Sequence, residues 1–128
     1  MSEARSIESV CALVVTFNRL NLLRECIESI ENQSYPVSSL VIVDNASTDG
    51  TSEWIEEHIL GKPSPQIRHI RTARNLGGAG GFNLGLKAAL EHECDWIWLM
   101  DDDCIPENEC LAHLVQGSYM TSGTPSFL

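Results

Sequence analysis

The chain has 128 residues, of which 43% are hydrophobic, and its formal net charge is −10. This length favours one compact domain, and the excess of acidic residues argues against nucleic acid as a partner bound by general electrostatic attraction. The five cysteines contain no CxxC pair, and neither a signal-peptide pattern nor a membrane-spanning run is recognisable, so we expect a cytoplasmic protein without a zinc knuckle, disulfide framework or membrane span.

The first half of the chain alternates strand and helix patterns. Val10 to Phe17 is a nearly continuous apolar run, which predicts a strand buried on both faces of a parallel sheet. Apolar residues recur at helical spacing from Leu22 to Ile30, which predicts an amphipathic helix capped by Asn18. Leu40 to Val43 predicts a second buried strand, which stops at Asp44. A polar turn leads from there into a second amphipathic helix.

The second half continues the alternation. Ile67 to Arg71 predicts a third strand, and the glycine-rich stretch Asn75 to Gly85 leads into a third helix. The packed side of that helix is expected to be Phe82, Leu86, Ala89 and Leu90. Asp95 to Met100 predicts a fourth strand, and Pro106 suits the first turn of a fourth helix. We expect residues 119–128 to form an irregular tail.

This alternation predicts an α/β fold over residues 1–118, with a sheet of mainly parallel strands and helices on both faces. Ligands of such sheets bind at the carboxyl ends of the strands. Polar side chains follow three of the predicted strands there. They lie in three clusters: Thr16-Phe17-Asn18-Arg19 after the first strand, Asp44-Asn45 after the second, and Asp101-Asp102-Asp103 after the fourth. The glycine-rich stretch follows the third strand, so all four ends contribute to one candidate site.

The three consecutive aspartates suggest a metal site. Along extended backbone Asp101 and Asp103 would point the same way, while Asp102 would face elsewhere. Two unit charges ~6 Å apart repel by roughly 3 kcal/mol at an effective dielectric of ~20, and a divalent cation would reverse that cost. A few hard oxygen ligands suit Mg²⁺ or Mn²⁺. The alternative is a solvated acidic turn before a helix; the position at the end of an apolar strand favours the metal.

The glycine-rich stretch and Asp44 each allow two interpretations. Backbone amides before a helix could contact phosphate or a sugar, although the glycine spacing matches neither the dinucleotide nor the phosphate-loop motif, and a flexible connection is the alternative. Asp44 could accept hydrogen bonds from a base or ribose, or brace the following helix.

Four motifs together carry a resemblance to a known family. In order and spacing, VVTFNR, VIVDNASTDGT, NLGGAGGFNLG and WLMDDDCIPE resemble the nucleotide-binding half of family 2 glycosyltransferases with the GT-A fold, over about Val10 to Leu114. The glycine-rich motif looks most like that of members that transfer galactofuranose, or of related enzymes that transfer rhamnose.

The resemblance implies a donor, a metal and an inverting reaction. The donor would be a UDP- or dTDP-linked sugar, the metal Mn²⁺ or Mg²⁺, and an acceptor hydroxyl would attack the anomeric carbon in line. The implied donor-binding residues are Thr16, Asn18 and Arg19 near the nucleoside, Asp44 at the base, Asn75, Gly77, Gly78, Gly80 and Gly81 beside the diphosphate and sugar, and Asp101 and Asp102. Asp101 and Asp103 would hold the metal, with Asp103 as the principal ligand.

One departure from the family pattern concerns the acceptor side. Relatives supply the acceptor site and the general base after the aspartates, where this chain has only residues 104–128. We therefore expect a fragment, truncated to the N-terminal half, whose general base lies beyond Leu128 and which transfers little sugar alone. The full protein would use a glycan or lipid-linked acceptor, at the cytosolic face of a membrane. Apolar surface left uncovered predicts a homo-oligomer.

Three other protein classes compete with this interpretation. A non-catalytic nucleotide- or Mg²⁺-binding α/β module would bind the donor without transferring sugar. A receiver-type signalling domain needs an acidic pair after the first strand, where this chain has Thr16, Phe17 and Asn18. A dehydrogenase needs glycines at that same place. The module is therefore the main alternative.

Overall fold

The computed structural model describes residues 7–117 and 126–128. Five strands and four helices alternate along this part of the chain. The strands are β1 (Val10–Thr16), β2 (Ser39–Asp44), β3 (Gln66–Arg71), β4 (Trp96–Asp101) and β5 (Ser126–Phe127). The helices are α1 (Leu20–Glu31), α2 (Thr51–His58), α3 (Gly77–Leu90) and α4 (Cys110–Gly117). The predicted α/β fold is confirmed. No described helix is long and apolar enough to cross a bilayer.

The sheet is parallel throughout, in the order β3-β2-β1-β4-β5. Thr16 is paired in register with Asp44, and Val15 with Asp101. Asp44 is in turn paired with Arg71 of β3. Because the strands run in one direction, the polar residues that end them lie side by side at one edge of the sheet.

The prediction of an irregular tail is wrong at its C-terminal end. Residues 119–125 lie outside the described part, but Ser126–Phe127 form β5 and pair with β4. The amide of Leu128 donates to the carbonyl of Ile97 at 2.8 Å, and the amide of Leu99 donates to the carbonyl of Leu128 at 3.2 Å. These bonds satisfy backbone groups of β4 that β1 does not reach, which is the physical reason for a strand here.

Apolar side chains cover both faces of the sheet. In β1 alternate residues face opposite sides, so that Leu13 lies in one core cluster and Val14 in the other. One face packs against α1, α2 and α4, and the other against α3. β1 and β2 are buried on both faces, which explains the uninterrupted apolar residues from Val10 to Val15 and from Leu40 to Val43.

Glycines let α3 lie directly against the sheet. A Cβ atom at Gly81 would lie 2.6 Å from Val15 Cγ1, and one at Gly85 would lie 2.3 Å from Leu13 Cδ1. The fully buried residues of α3 are therefore small, and Phe82 and Leu86 pack beside them as predicted. The prediction that Leu90 belongs to this side is wrong, since Leu90 is 57% exposed. This close approach carries the start of α3 over the end of β1.

The start of α1 also differs from the prediction. Its N-cap is Arg19, without a side-chain cap, and Asn18 instead adopts a left-handed backbone conformation with φ 50°. The amide of Leu20 donates to Asp49 Oδ2 at 3.0 Å. Asn18 Oδ1 accepts the amide of Thr48 at 2.7 Å. The loop after β2 thus supplies the cap that the sequence assigned to Asn18.

Candidate functional site

A cleft of about 430 Å³ opens at the carboxyl ends of β1, β2 and β4. The residues that line it are Val15, Thr16, Phe17, Arg19, Asn45, Asn75, Gly77, Gly78, Phe82, Asp101, Asp102 and Asp103. Eight of the predicted site residues are therefore brought together: Thr16, Arg19, Asn75, Gly77, Gly78 and the three aspartates. The cleft is the place where the convergent strand ends were expected to form a site.

The three aspartates have different environments. Asp102 is only 5% exposed, whereas Asp101 and Asp103 are exposed. The strand ends at Asp101, and the amide of Cys104 donates to the Asp101 carbonyl at 3.1 Å, so the backbone turns here. The premise of extended backbone is therefore wrong, although the separation of Asp102 from its two neighbours is as expected. A turn, not strand alternation, buries the middle carboxylate.

Thr16 and Arg19 hold Asp102 in place. Thr16 Oγ1 donates to Asp102 Oδ2 at 2.9 Å, and Arg19 Nη1 lies 3.4 Å from Asp102 Oδ1. The same Nη1 atom is 3.9 Å from Asp103 Oδ2. Arg19 and Asp103 are each about half exposed. Asp102 is thus a fixed, partnered anion, while Asp103 makes only the longer contact with Arg19 and is exposed to a ligand.

Asn45 connects the loops after β2 and β3 to the start of α3. Its Nδ2 donates to the carbonyl of Gly77 at 2.9 Å, and its Oδ1 accepts the amide of Leu76 at 3.3 Å. Thr72 Oγ1 also lies 3.3 Å from Asn45 Oδ1. Asn45 is buried and lines the cleft, so this member of the predicted cluster after β2 is a site residue, although no ligand contact was assigned to it.

The N-terminal end of α3 borders the cleft. Gly77 has φ 76°, a conformation that favours glycine, and its amide donates to Asn75 Oδ1 at 2.8 Å. Gly77 and Gly78 both line the cleft and are exposed. The partial positive charge at the start of this 14-residue helix lies beside the carboxylates. An anion and a cation could therefore bind next to each other here.

The remaining predicted residues lie outside the cleft lining. Gly80 packs against Leu76, and Gly81 against Val15. The side chain of Asn18 bonds the loop after β2. Asp44 is 0% exposed: Oδ1 accepts the amide of Ser47 at 2.9 Å, and Oδ2 accepts the hydroxyl of Ser52. Contact of these four residues with a donor stays a prediction, and Asp44 braces α2 in this structure.

The carboxylates suit a metal that takes few protein ligands. Within the described residues no group of three or more His, Cys, Asp or Glu side chains could hold an ion. Asp101 and Asp103 nevertheless present exposed oxygens to one cleft. Mg²⁺ and Mn²⁺ are commonly bound through one or two carboxylates, with phosphates and water completing the shell. The two carboxylates therefore fit such an ion, and they do not fit a metal that needs all of its ligands from the protein.

A buried thiol lies beneath the aspartates and does not compete for a metal. Cys26 Sγ donates to the carbonyl of Asp101 at 3.8 Å. Burial, with smaller contributions from Cys104, Asp102 and Asp103, raises the pKa of Cys26 to about 12. The thiol is therefore neutral at physiological pH, whereas metal-binding cysteines are thiolates. All five cysteines are free.

Four cleft residues were not among the predicted donor or metal contacts. Asn45 and Phe17 belong to the predicted clusters at the strand ends, although no donor or metal contact was assigned to them. Val15 and Phe82 carry no polar signal, because their sequence context is that of core residues. They line the cleft only because α3 crosses the end of β1.

A protein-family model matches most of the chain. The model of glycosyl transferase family 2 matches residues 11–118. The galactofuranosyltransferase GlfT1 of Mycolicibacterium smegmatis is 41% identical over 99 residues, which cover 77% of this chain and 31% of the relative. The undecaprenyl-phosphate mannosyltransferase of Micrococcus luteus is 30% identical over 107 residues, which cover 84% of this chain and 43% of the relative. The chain thus spans less than half the length of these relatives.

Solved structures show the same fold. The mannosyltransferase PcManGT from Pyrobaculum calidifontis, in complex with GDP-Man and Mn²⁺, matches with a TM-score of 0.71 and 28% identity, over 90% of this chain and 33% of that one. TarS of S. aureus, residues 1–349 in complex with UDP-GlcNAc, matches with a TM-score of 0.73 and 24% identity, over 86% of this chain and 31% of that one. The second likeness concerns the fold alone.

Proposed function

The chain belongs to glycosyl transferase family 2, and we propose from that premise that its cleft binds a nucleotide-diphosphate sugar, linked to UDP or dTDP. In the whole protein the sugar would pass to a hydroxyl group of a glycan or lipid-linked acceptor, with inversion at the anomeric carbon. One observation carries this proposal: the exposed carboxylates of Asp101 and Asp103 share a cleft with the N-terminal end of α3.

Arg19 and the N-terminal end of α3 provide positive charge that would bind the diphosphate. The amide of Gly78 belongs to a helix start, where negative charge is stabilised, whereas the amide of Gly77 is bonded to Asn75 Oδ1. Arg19 is the cation of the cleft lining, and its guanidinium is half exposed. Charge-assisted hydrogen bonds from arginine to phosphate are strong and directional. These groups would orient the donor and offset the repulsion that a chain of charge −10 exerts on an anion.

Asp101 and Asp103 would hold the divalent ion. Bound Mn²⁺ or Mg²⁺ would supply positive charge that stabilises the departing diphosphate. Asp102 has a supporting role in this proposal, because Thr16 and Arg19 already occupy its oxygens. PcManGT, which matches at 28% identity, is described with GDP-Man and Mn²⁺, which supports a sugar nucleotide and a divalent ion for this cleft.

For the sugar we propose galactofuranose. The support is the 41% identity to GlfT1, which is named a galactofuranosyltransferase, over 77% of this chain. The matched region contains the glycine-rich motif, part of which lines the cleft where the sugar would lie. A rhamnose donor is the nearest competitor in the same assay.

The acceptor side is proposed to lie outside these 128 residues. No carboxylate of the cleft is available as a general base once Asp101 and Asp103 hold an ion and Asp102 is bonded to Thr16. We expect the chain to bind donor and metal and to transfer little sugar. Turnover by the chain at the rate of a longer version would contradict this. Donor binding without transfer by the whole protein would instead support the non-catalytic module.

A thermal-shift panel tests the proposed donor. UDP-galactofuranose, other UDP-sugars and dTDP-rhamnose are compared in the presence of Mn²⁺, with the parent chain and Asp103→Ala. We expect UDP-galactofuranose to raise the unfolding temperature of the parent most, and to raise that of the variant much less. Equal stabilisation of both proteins would remove Asp103 from the site.

A further inference from the structure

A chain of hydrogen-bonded side chains lies beneath the cleft and starts at β3. His69 Nε2 lies 3.3 Å from Ser52 Oγ, and Ser52 Oγ donates to Asp44 Oδ2. Asp44 and Ser52 are almost completely buried, with exposures of 0% and 1%. None of these three residues lines the cleft, and no donor contact is proposed for Ser52 or His69.

The number of protons on each group determines which group donates in each of these hydrogen bonds. A carboxylate only accepts hydrogen bonds, so the single hydroxyl proton of Ser52 is given to Asp44. Ser52 Oγ must then accept from His69, which requires the proton of the imidazole on Nε2. Burial lowers the pKa of His69 despite the opposing charge of Asp44, so the ring is neutral with Nε2–H as its donor.

The hydrogen-bond chain continues from Asp44 to the residues beside the cleft. Asp44 Oδ1 accepts the amide of Ser47 at 2.9 Å, and Ser47 Oγ accepts the amide of Asn18 at 2.8 Å. Asn18 has the unfavourable φ of 50° and lies between Phe17 and Arg19, both of which line the cleft. A bond that fixes this residue therefore sets the direction of its two neighbours.

We propose that His69 and Ser52 are positioning residues for the donor cleft. They hold Asp44, and through Ser47 the loop after β1, in the shape that presents Phe17 and Arg19 to the donor, without touching the donor themselves. This inference rests on the proposed donor site. Buried hydrogen bonds of this kind specify one arrangement because any broken link leaves a polar group unpaired.

Matched variants separate positioning from simple stability. Ser52→Ala and His69→Leu break the hydrogen-bond chain, and His69→Gln replaces the ring donor with an amide donor. Ser29→Ala removes another buried hydroxyl, which bonds the Cys26 carbonyl, is not part of this hydrogen-bond chain and does not line the cleft. We expect Ser52→Ala and His69→Leu to weaken UDP binding with Mn²⁺ by about threefold to tenfold. His69→Gln and Ser29→Ala should bind UDP within about twofold of the parent.

Amide NMR shifts of Ser47 and Asn18 provide a second readout that needs no ligand. These amide shifts should differ from those of the parent in Ser52→Ala and His69→Leu, and should equal them in Ser29→Ala. Unchanged shifts and unchanged UDP affinity in both chain-breaking variants would overturn the inference, as would an equal loss of affinity in Ser29→Ala. If the parent itself fails to bind UDP, the proposed donor site is wrong. The amide shifts would still decide whether the hydrogen-bond chain holds the loop after β1.

Discussion

Thr16 Oγ1 donates a 2.9 Å hydrogen bond to Asp102 Oδ2, which links the end of β1 to the turn after β4 beneath the cleft. Both residues are buried, so this bond fixes the middle carboxylate of the three in a site away from water. Asp101 and Asp103 remain exposed beside it. The pair therefore divides the aspartates into one structural anion and two available ligands.

Thr16→Val tests this division. The variant has nearly the shape of threonine but leaves one oxygen of a buried carboxylate without its partner, which should lower the free energy of unfolding by about 1–3 kcal/mol. Urea unfolding measures the loss, and Thr16→Ser, which keeps the hydroxyl, should recover most of it. Equal stability of Thr16→Val and the parent would show that Asp102 does not depend on this bond.

Gly81→Ala tests the close contact between α3 and β1. The new Cβ would lie 2.6 Å from Val15 Cγ1 and 3.0 Å from Asn45 Nδ2, so the helix or the strand must shift. Overpacking of this kind costs about 1–3 kcal/mol, and the displaced Asn45 should also weaken UDP binding. Gly78→Ala is the control in the same helix, because nothing lies within 4 Å of its added Cβ. Loss of stability in Gly78→Ala but not in Gly81→Ala would contradict this packing.

The strand ends could be predicted from the sequence, whereas the contacts between loops could not. Apolar β-branched runs stop at Thr16, Asp44 and Met100, and a parallel sheet brings such ends together whatever the loops do. The role of Asn45 depends on two partners later in the chain, Thr72 in the loop after β3 and Gly77 at the start of α3, which local spacing does not reveal.

The glycine-rich motif shows where local reasoning stops. Its first glycines, Gly77 and Gly78, do border the cleft, as an exposed loop would. Gly81 and Gly85 lie inside α3 and are small because a side chain would meet β1. Close approach of a ligand and close packing of a helix on a strand both favour glycine. Sequence spacing alone therefore cannot tell which of the two a given glycine serves.

His69 should make stability depend on pH. Burial lowers its pKa below 6.5, with Asp44 and Glu56 opposing and Arg71 reinforcing the shift. Between that lowered pKa and 6.5 the unfolded chain holds a proton that the folded chain lacks, so this contribution is present above pH 6.5 and is lost as the pH falls through the folded pKa. Urea unfolding at several pH values should show a smaller acid loss for His69→Gln than for the parent. Parallel pH curves would contradict a lowered pKa.

Arg19→Gln should strengthen metal binding and weaken donor binding. Arg19 Nη1 lies 3.9 Å from Asp103 Oδ2 and so opposes a cation there. A divalent ion ~6 Å from a unit charge is repelled by about 1.4 kcal/mol at a dielectric of ~80, so Mn²⁺ affinity should rise about tenfold. Calorimetry with Mn²⁺ alone measures this. UDP affinity should fall, because the variant lacks a cation for the diphosphate.

Arg74→Gln is the charge-matched control for that titration. Arg74 is exposed and forms no ion pair within the described residues. The Arg74→Gln substitution removes the same charge from the protein but does not free a carboxylate. An equal gain in Mn²⁺ affinity in both variants would assign the effect to net charge alone.

Calorimetry with UDP and Mn²⁺ tests the joint binding of donor and ion most directly. UDP is titrated into the parent chain and into Asp103→Asn, with and without Mn²⁺. We expect UDP to bind the parent at least about tenfold more tightly when Mn²⁺ is present, and this gain to disappear in Asp103→Asn. Equal UDP affinity in all four titrations, or no UDP binding by the parent, would contradict a donor site bridged by an ion at the aspartates.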